Sequence, residues 1–582
     1  MLRRRLILAT TPLLVTGLVL AGCATQTAVP TGSSSGSSSD DTSSTQAAAV
    51  VDSDLSAAAV LAADADVTVV EDDEWSEADA VDIRLAGTTA STEADAVRID
   101  GSTVTITEGG VFRLSGSLDG QVVVAAPDDA QVVLILDDAE ISASDSPAIT
   151  VTSADDVAIS LAEGSDNALS DASTYADDAD ANAAIYADAD LTISGTGALS
   201  VSGNGNDGIA STDDLVILAG EVTVDATDDA LRGKDSLTVA GGTLSLTAGG
   251  DALKSDQTDD ATQGFVAITG GEVTAHSGDD GIAAATDAVI TGGTVDLTAG
   301  SDASTSDDSP KGVSAGVVVA IDGGDVAIAA DDDAVHSDGS VGIGGATVAV
   351  SSGDDGIHAE QRLEIRAGEV TIADAVEGLE AADVAISGGT VGITASDDGI
   401  NAASGTASAA QGGGMGGGGE ADTGETLVIS GGTVRVTARG DGLDSNGSIS
   451  IAGGTTVVSG PSAAGGQGAV DANGAVAIDG GEVFVAGSVL VAPTGAQQWI
   501  AATVTGSAGD TVEVTDAAGA VIASFEADQD FGGVFYSGPA LADGGSYIVT
   551  VNGSSAATVT EGVNVSSGMG GGPGGGGGGR RP

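Results

Sequence analysis

Leu237-Thr238-Val239-Ala240-Gly241-Gly242-Thr243-Leu244-Ser245-Leu246-Thr247-Ala248-Gly249-Gly250-Asp251-Ala252-Leu253 holds one unit of a pattern that runs through the middle of the chain. Leu237 and Val239, then Leu244 and Leu246, alternate with small polar residues, the period-two signature of strands with one buried face. Gly241-Gly242 separates the two runs and supplies a turn at positive φ. Asp251-Ala252-Leu253 then gives an acidic, a small and an aliphatic residue. The triplet recurs as Asp207-Gly208-Ile209, Asp229-Ala230-Leu231, Asp280-Gly281-Ile282, Asp333-Ala334-Val335, Asp355-Gly356-Ile357, Glu377-Gly378-Leu379, Asp398-Gly399-Ile400 and Asp441-Gly442-Leu443. The steps 207 to 229, 229 to 251, 333 to 355 and 355 to 377 are each 22 residues. A fixed step of this size marks stacked repeats. The longer steps carry insertions, such as 257–262 and the glycine-rich run 404–424.

Three short strands and three turns in about 22 residues make one coil of a parallel β-helix. A sandwich or barrel does not demand a constant period, and a leucine-rich repeat needs leucine and asparagine ladders that this chain lacks. Coils stack about 4.8 Å apart, so equivalent residues pile up. The aliphatic column fills the interior, the small residue makes a tight corner, and the carboxylates form a ladder along one edge. The expected fold is therefore all-β: a helix body over 66–492, most regular from 182 to 491, with a small β cap over 493–562. Trp75 is expected to cover the first coil's open end, since a stacked core needs capping.

The 582 residues carry 87 Asp and Glu against 16 Lys and Arg, a formal net charge of −71, and only 2% aromatics. Such a charge excludes nucleic acid as a partner and favours cations. Adjacent rungs of the ladder repel by about 1 kcal/mol in water and several-fold more inside protein. Calcium takes six to eight oxygens from carboxylates, carbonyls and water. Paired aspartates on neighbouring coils offer them: Asp228 and Asp229 with Asp251, Asp279 with Asp280, Asp332 and Asp333 with Asp354 and Asp355, and Asp397 with Asp398. The plainer alternative is a solvated acidic edge whose Asp side chains satisfy turn amides.

Arg3-Arg4-Arg5 precedes an apolar run over 6–21 that ends in Leu20-Ala21-Gly22-Cys23. This reads as an export signal, too short for a comfortable membrane span, and resembles a bacterial lipobox over 1–23. Cys23 is the sole cysteine, so no internal disulfide exists, and the resemblance makes it the lipidated first residue of the mature protein. Residues 24–65 are Ser, Thr, Ala, Gly and Asp, the composition of a flexible tether. Trp499, Phe525, Phe531, Phe535, Tyr536 and Tyr547 concentrate half of the aromatics in the terminal unit, which reads as a cap or as an aromatic sugar-binding module. The tail 563–582 is glycine-rich and expected to be disordered.

Asn182-Ala183-Ala184-Ile185-Tyr186, the run 190–199, Gly250-Asp251-Ala252-Leu253-Lys254-Ser255, the Asp-Asp-Gly-Ile corners and the closing stretch 541–547 resemble the bacterial carbohydrate-binding domain-containing β-helix lipoproteins over roughly 67–575. That resemblance implies a right-handed parallel β-helix of pectate-lyase-like architecture that binds calcium and acidic plant polysaccharide. It places this chain, expected to be a monomer, on the outer face of a bacterial cell membrane. Calcium would also reconcile an acidic protein with an acidic polymer by bridging the two, which few aromatics in the coils could do by stacking.

Three functions remain: a calcium-loaded polysaccharide-binding module, a calcium-dependent polysaccharide (pectate) lyase, and a structural or adhesive surface rod. A lyase needs a base. Lys254, one of three lysines, is the best candidate, against the simpler role of neutralising a neighbouring Asp. Arg232, His336 and His358 share its column. The two histidines, 22 residues apart, suit a transition metal, but two ligands do not make a site.

Overall fold

The computed structural model describes residues 54–176, 179–300, 309–404, 421–462, 468–488 and 492–563. The export signal, Cys23, most of the tether, the core of the glycine-rich insert and the tail lie outside them. Each regular coil has three parallel strands, as in Leu231–Gly233, Ser236–Val239 and Thr243–Ala248. Each strand pairs with its counterpart one coil on, so three ribbons of parallel sheet run along the body. The register is strict: Ile209 pairs Leu231, then Leu253, Ile282, Val313, Val335, Ile357, Leu379, Ile400 and Leu443 follow in order. These side chains are almost wholly buried in one continuous core.

One rung carries no acid. The step from Asp280 to Asp333 is not a single long coil but two, because Lys311-Gly312-Val313 forms a corner of its own with lysine in the acid's place. The glycine pairs make the expected turns. Gly242, Gly271, Gly293 and Gly324 have φ of 88°, 87°, 87° and 87°, and a Cβ on Gly242 would lie 2.8 Å from the Gly220 carbonyl oxygen below it. These positions are glycine for both reasons, and the column is interrupted by Ala346 one coil on from Gly324.

The two outer strands of a coil read differently. The long strand Thr243–Ala248 alternates exposed and buried, whereas Ser236–Val239 is buried on both faces. The cover is the segment 54–75, expected to be part tether. It runs along the outside of this flank as a strap. Leu55, Ala57 and Val60, the last two on the short helix Ala57–Leu61, pack on Val289, Val318 and Ala320. Val67 and Val69 pack on Val216, Phe265 and Ala267. Backbone groups along it are tied down as well: Ala57 N–H to Asp322 Oδ2 at 2.8 Å, Thr68 N–H to Asp214 Oδ2 at 2.8 Å and Val70 N–H to Thr192 Oγ1 at 3.0 Å. The tether's end is thus structured, because its few aliphatics fall where the flank presents apolar side chains.

Trp75 packs, half-buried, on the same flank beside Val70, Val133 and Ile135, and does not close the helix end. That end is closed by antiparallel pairing of Ala90–Thr92 on Val81–Gly87 and of Val97–Asp100 on Thr103–Ile106, with Ala90, Ala96 and Val97 against the core. At the other end Trp499–Ala502 and Gly533–Ser537 pair antiparallel with each other, and the latter with the last coil strand Val476–Gly487. A four-stranded antiparallel sheet follows. Phe525, Phe531, Tyr536 and Tyr547 are core of this unit, and Trp499 stacks on Phe535 at 5.9 Å.

Candidate metal centre

The corner brings the predicted acids together as two columns. Asp207, Asp229, Asp251, Asp333, Asp355 and Asp441 are buried, and Asp280 and Asp398 half-buried. Asp228, Asp279, Asp332, Asp354 and Asp397 lie beside them, nearer solvent. Along much of the ladder the inner carboxylate accepts the backbone N–H of its successor one coil on. Asp229 Oδ1 takes Asp251 N–H at 2.9 Å, Asp251 Oδ1 takes Asp280 N–H at 2.9 Å, Asp280 Oδ1 takes Lys311 N–H at 2.7 Å and Asp333 Oδ1 takes Asp355 N–H at 3.0 Å. One oxygen of these inner acids therefore belongs to the fold, as the turn-capping alternative requires. The second oxygens face the third column, where Lys254, His336 and His358 meet several of them. Ligand atoms converge within 4.8 Å in the sets Asp207–Asp228–Asp229, Asp251–Asp279–Asp280 and Asp332–Asp333–Asp354.

Burial, and then neighbouring carboxylates, push Asp207 up to about 7. Asp280, Glu377 and Asp441 are pushed up to about 7 as well, burial again being the largest cause. Such groups hold a proton in the folded protein unless a cation takes its place.

A third column decides which cation. It is the outward residue two places past the small one, in the order Ala210, Arg232, Lys254, Ala283, Ser314, His336, His358, Glu380, Asn401 and Asp444. Lys254 Nζ sits 3.0 Å from Asp229 Oδ2 and 2.8 Å from Asp251 Oδ2. Arg232 meets Asp256 at 2.7 Å and Lys311 meets Asp332 at 2.7 Å. The early rungs thus carry counter-ions of their own. Burial alone would lower the Lys254 pKa, but Asp251 and Asp229 outweigh it and hold the ammonium above its usual range. A lysine so held is a poor proton acceptor, which supports the neutralising role for Lys254 over that of a lyase base. We expect Lys254→Met to lose about 2 kcal/mol of stability in chelator, less than a fully buried pair because the ammonium is 30% exposed. Urea unfolding of the variant checks this.

Toward the C-terminal end the third column supplies oxygens instead. Asn401 Nδ2 donates to Glu377 Oε2 at 2.9 Å, while Asn401 Oδ1 is buried with no hydrogen-bond partner. The charged neighbours that raise Asp441 are Asp398, Asp444 and Asp471, all carboxylates. Gly440 leaves a hollow that a Cβ would fill against Asp397 Oδ1 and Asp398 Oδ1. A hard cation fits this donor set of carboxylates and an orphaned amide oxygen. Glu377, Asn401, Asp441 and Asp444 stand outside the candidate ligand set read from the sequence. The available signal was the third column's change from Lys and Arg to Glu, Asn and Asp.

A family model described as carbohydrate-binding domain-containing protein matches residues 100–356. A protein of the same description from Acetivibrio thermocellus is 34% identical over 137 residues, 23% of this chain and 48% of that protein. This chain thus aligns with about half the length of that relative. A solved gadolinium derivative of a polysaccharide lyase-like protein from C. thermocellum is similar at 31% identity, covering 50% of this chain and 96% of that one, with a TM-score of 0.35.

Proposed function

We propose that this chain, whose residues 100–356 match the carbohydrate-binding domain-containing family, binds acidic, pectin-like polysaccharide through calcium held at the corner ladder. The observation that carries the calcium is the C-terminal stretch of the ladder, where Glu377, Asp398, Asn401, Asp441 and Asp444 supply oxygens and the orphaned Asn401 Oδ1 has no donor. Asp397 and Asp398 are the members of the predicted set in this stretch. Asp228, Asp229, Asp251, Asp279, Asp280 and Asp332 belong to rungs whose charges are partly met by Arg232, Lys254 and Lys311, and Asp354 to a rung met by His358. Calcium would supply open coordination positions for a uronate carboxylate; this chain's residues hold the ion and fix its height on the edge. Lipid attachment at Cys23 would present the rod at the outer face of the cell membrane.

Retention on insoluble polygalacturonate is the test. We expect binding in calcium, loss in chelator, and loss in Asp398→Asn with Asp441→Asn, whose circular dichroism should remain that of the parent. Binding indifferent to chelator would overturn the calcium bridge, and no binding in either condition would favour a structural rod. Absorbance from unsaturated product on soluble polymer would instead mark a lyase, with a base other than Lys254.

A further inference from the structure

His336 and His358 are successive members of the third column, paired across adjacent strands. Their ring centroids are 5.0 Å apart. Each ring is held by the inner acid three residues before it: His336 Nδ1 lies 2.8 Å from Asp333 Oδ2, and His358 Nδ1 lies 3.0 Å from Asp355 Oδ2. Glu380, next in the column, brings Oε2 to 3.6 Å from His358 Nδ1. Ligand atoms of Asp333, His336 and His358 converge within 4.8 Å, as do those of Asp355, His358 and Glu380. Both imidazoles are about four-fifths covered, with side-chain exposures of 17% and 20%.

We propose that this pair of rungs is a first-row transition-metal site of the zinc class, built from Asp333, His336 and His358 with Glu380 beside His358, distinct in chemistry from the carboxylate rungs of the same edge. Ordinary ion pairing would be met by lysine or arginine, as two rungs earlier in the body show. Two stacked imidazoles offer instead what a borderline ion prefers: neutral nitrogen donors beside carboxylate oxygen. Three or four protein ligands on a partly open edge leave a position for water or a ligand oxygen. Calcium, a hard ion, has little use for these nitrogens, so the two metals sort themselves along one edge.

The test is calorimetric titration of the full chain with zinc chloride in buffer already saturated with calcium. We expect one zinc site that excess calcium does not displace, absent from His336→Ala with His358→Ala. Glu380→Gln should bind about tenfold more weakly. Cobalt(II) added to the parent protein, again in calcium, gives a second reading that needs no variant. Strong visible bands are expected from nitrogen ligation below six-coordination, and the faint bands of an all-oxygen octahedral ion would overturn the proposal. So would zinc uptake that calcium abolishes, or uptake equal in parent and double variant. Neither experiment includes polysaccharide, so a failure here is separable from failure of the carbohydrate reading.

Discussion

Calcium is expected to raise the melting temperature of this protein strongly at pH 8 and hardly at all at pH 5. The reason is the folded ladder's grip on protons. Asp207, Asp280, Glu377 and Asp441 titrate near 7 when folded, driven first by burial, whereas free carboxyls titrate near 4. Between those values the native state binds more protons than the unfolded chain, so without a divalent ion stability falls as pH rises from about 4 through about 7. Calcium binds the ionised form and must expel those protons, which is easy at pH 8 and opposed at pH 5. Each site filled at a hundred times its dissociation constant adds about 2.7 kcal/mol. Differential scanning calorimetry at both pH values, with calcium and with chelator, reads the effect. Equal shifts at pH 5 and pH 8 would refute it.

The second large effect concerns the strap. Asp64 on the strap faces Asp287 on the flank. Burial and then the Asp287 charge push Asp64 up to about 8, so it keeps a proton shared with Asp287. Because this folded value lies above the unfolded one, the pair's contribution to docking is complete below about pH 4 and is lost as pH rises through about 8. Hydrogen exchange of the Ala57, Thr68 and Val70 amides should therefore quicken between pH 6 and pH 9 by more than the intrinsic chemical rate. Asp64→Asn with Asp287→Asn should remove the excess. Leu55→Asp with Val67→Asp should expose those amides at every pH, each lost apolar contact worth about 2 kcal/mol. The amides of Thr243–Ala248, on the far strand, should stay protected. If they exchange as fast as the strap, the strap is not a separable unit.

The corner triplet told most of the fold, because a coil that stacks on itself writes its spacing into the chain. Leu231, Leu253 and Ile282 could be placed over one another before any coordinates. The rung at Lys311 escaped because a cation there meets the same packing demand with the opposite charge, and a search for acids passes over it. The strap escaped for another reason. Leu55, Val60 and Val67 are sparse among Ser, Ala and Asp, and what makes them structural is an apolar stripe hundreds of residues away. The candidate site was half legible. The acids were visible, but their partners at Glu380, Asn401 and Asp444 follow a column that only the strand register reveals.

The strap's first anchored residue does not lie at either tip of the rod. The Leu55 carbonyl accepts from Arg366 Nη2 at 3.2 Å, and the segment then travels back toward the first coils, roughly 40 Å at about 4.8 Å per coil. A pull arriving through Asp54 consequently acts side-on, part-way along the body, and exerts a torque. Under rising load the Leu55 contacts would part first and the Val67 contacts later, as a zip opens from one end. Each release would move the point of attachment toward the first coils while the packed interior stays intact.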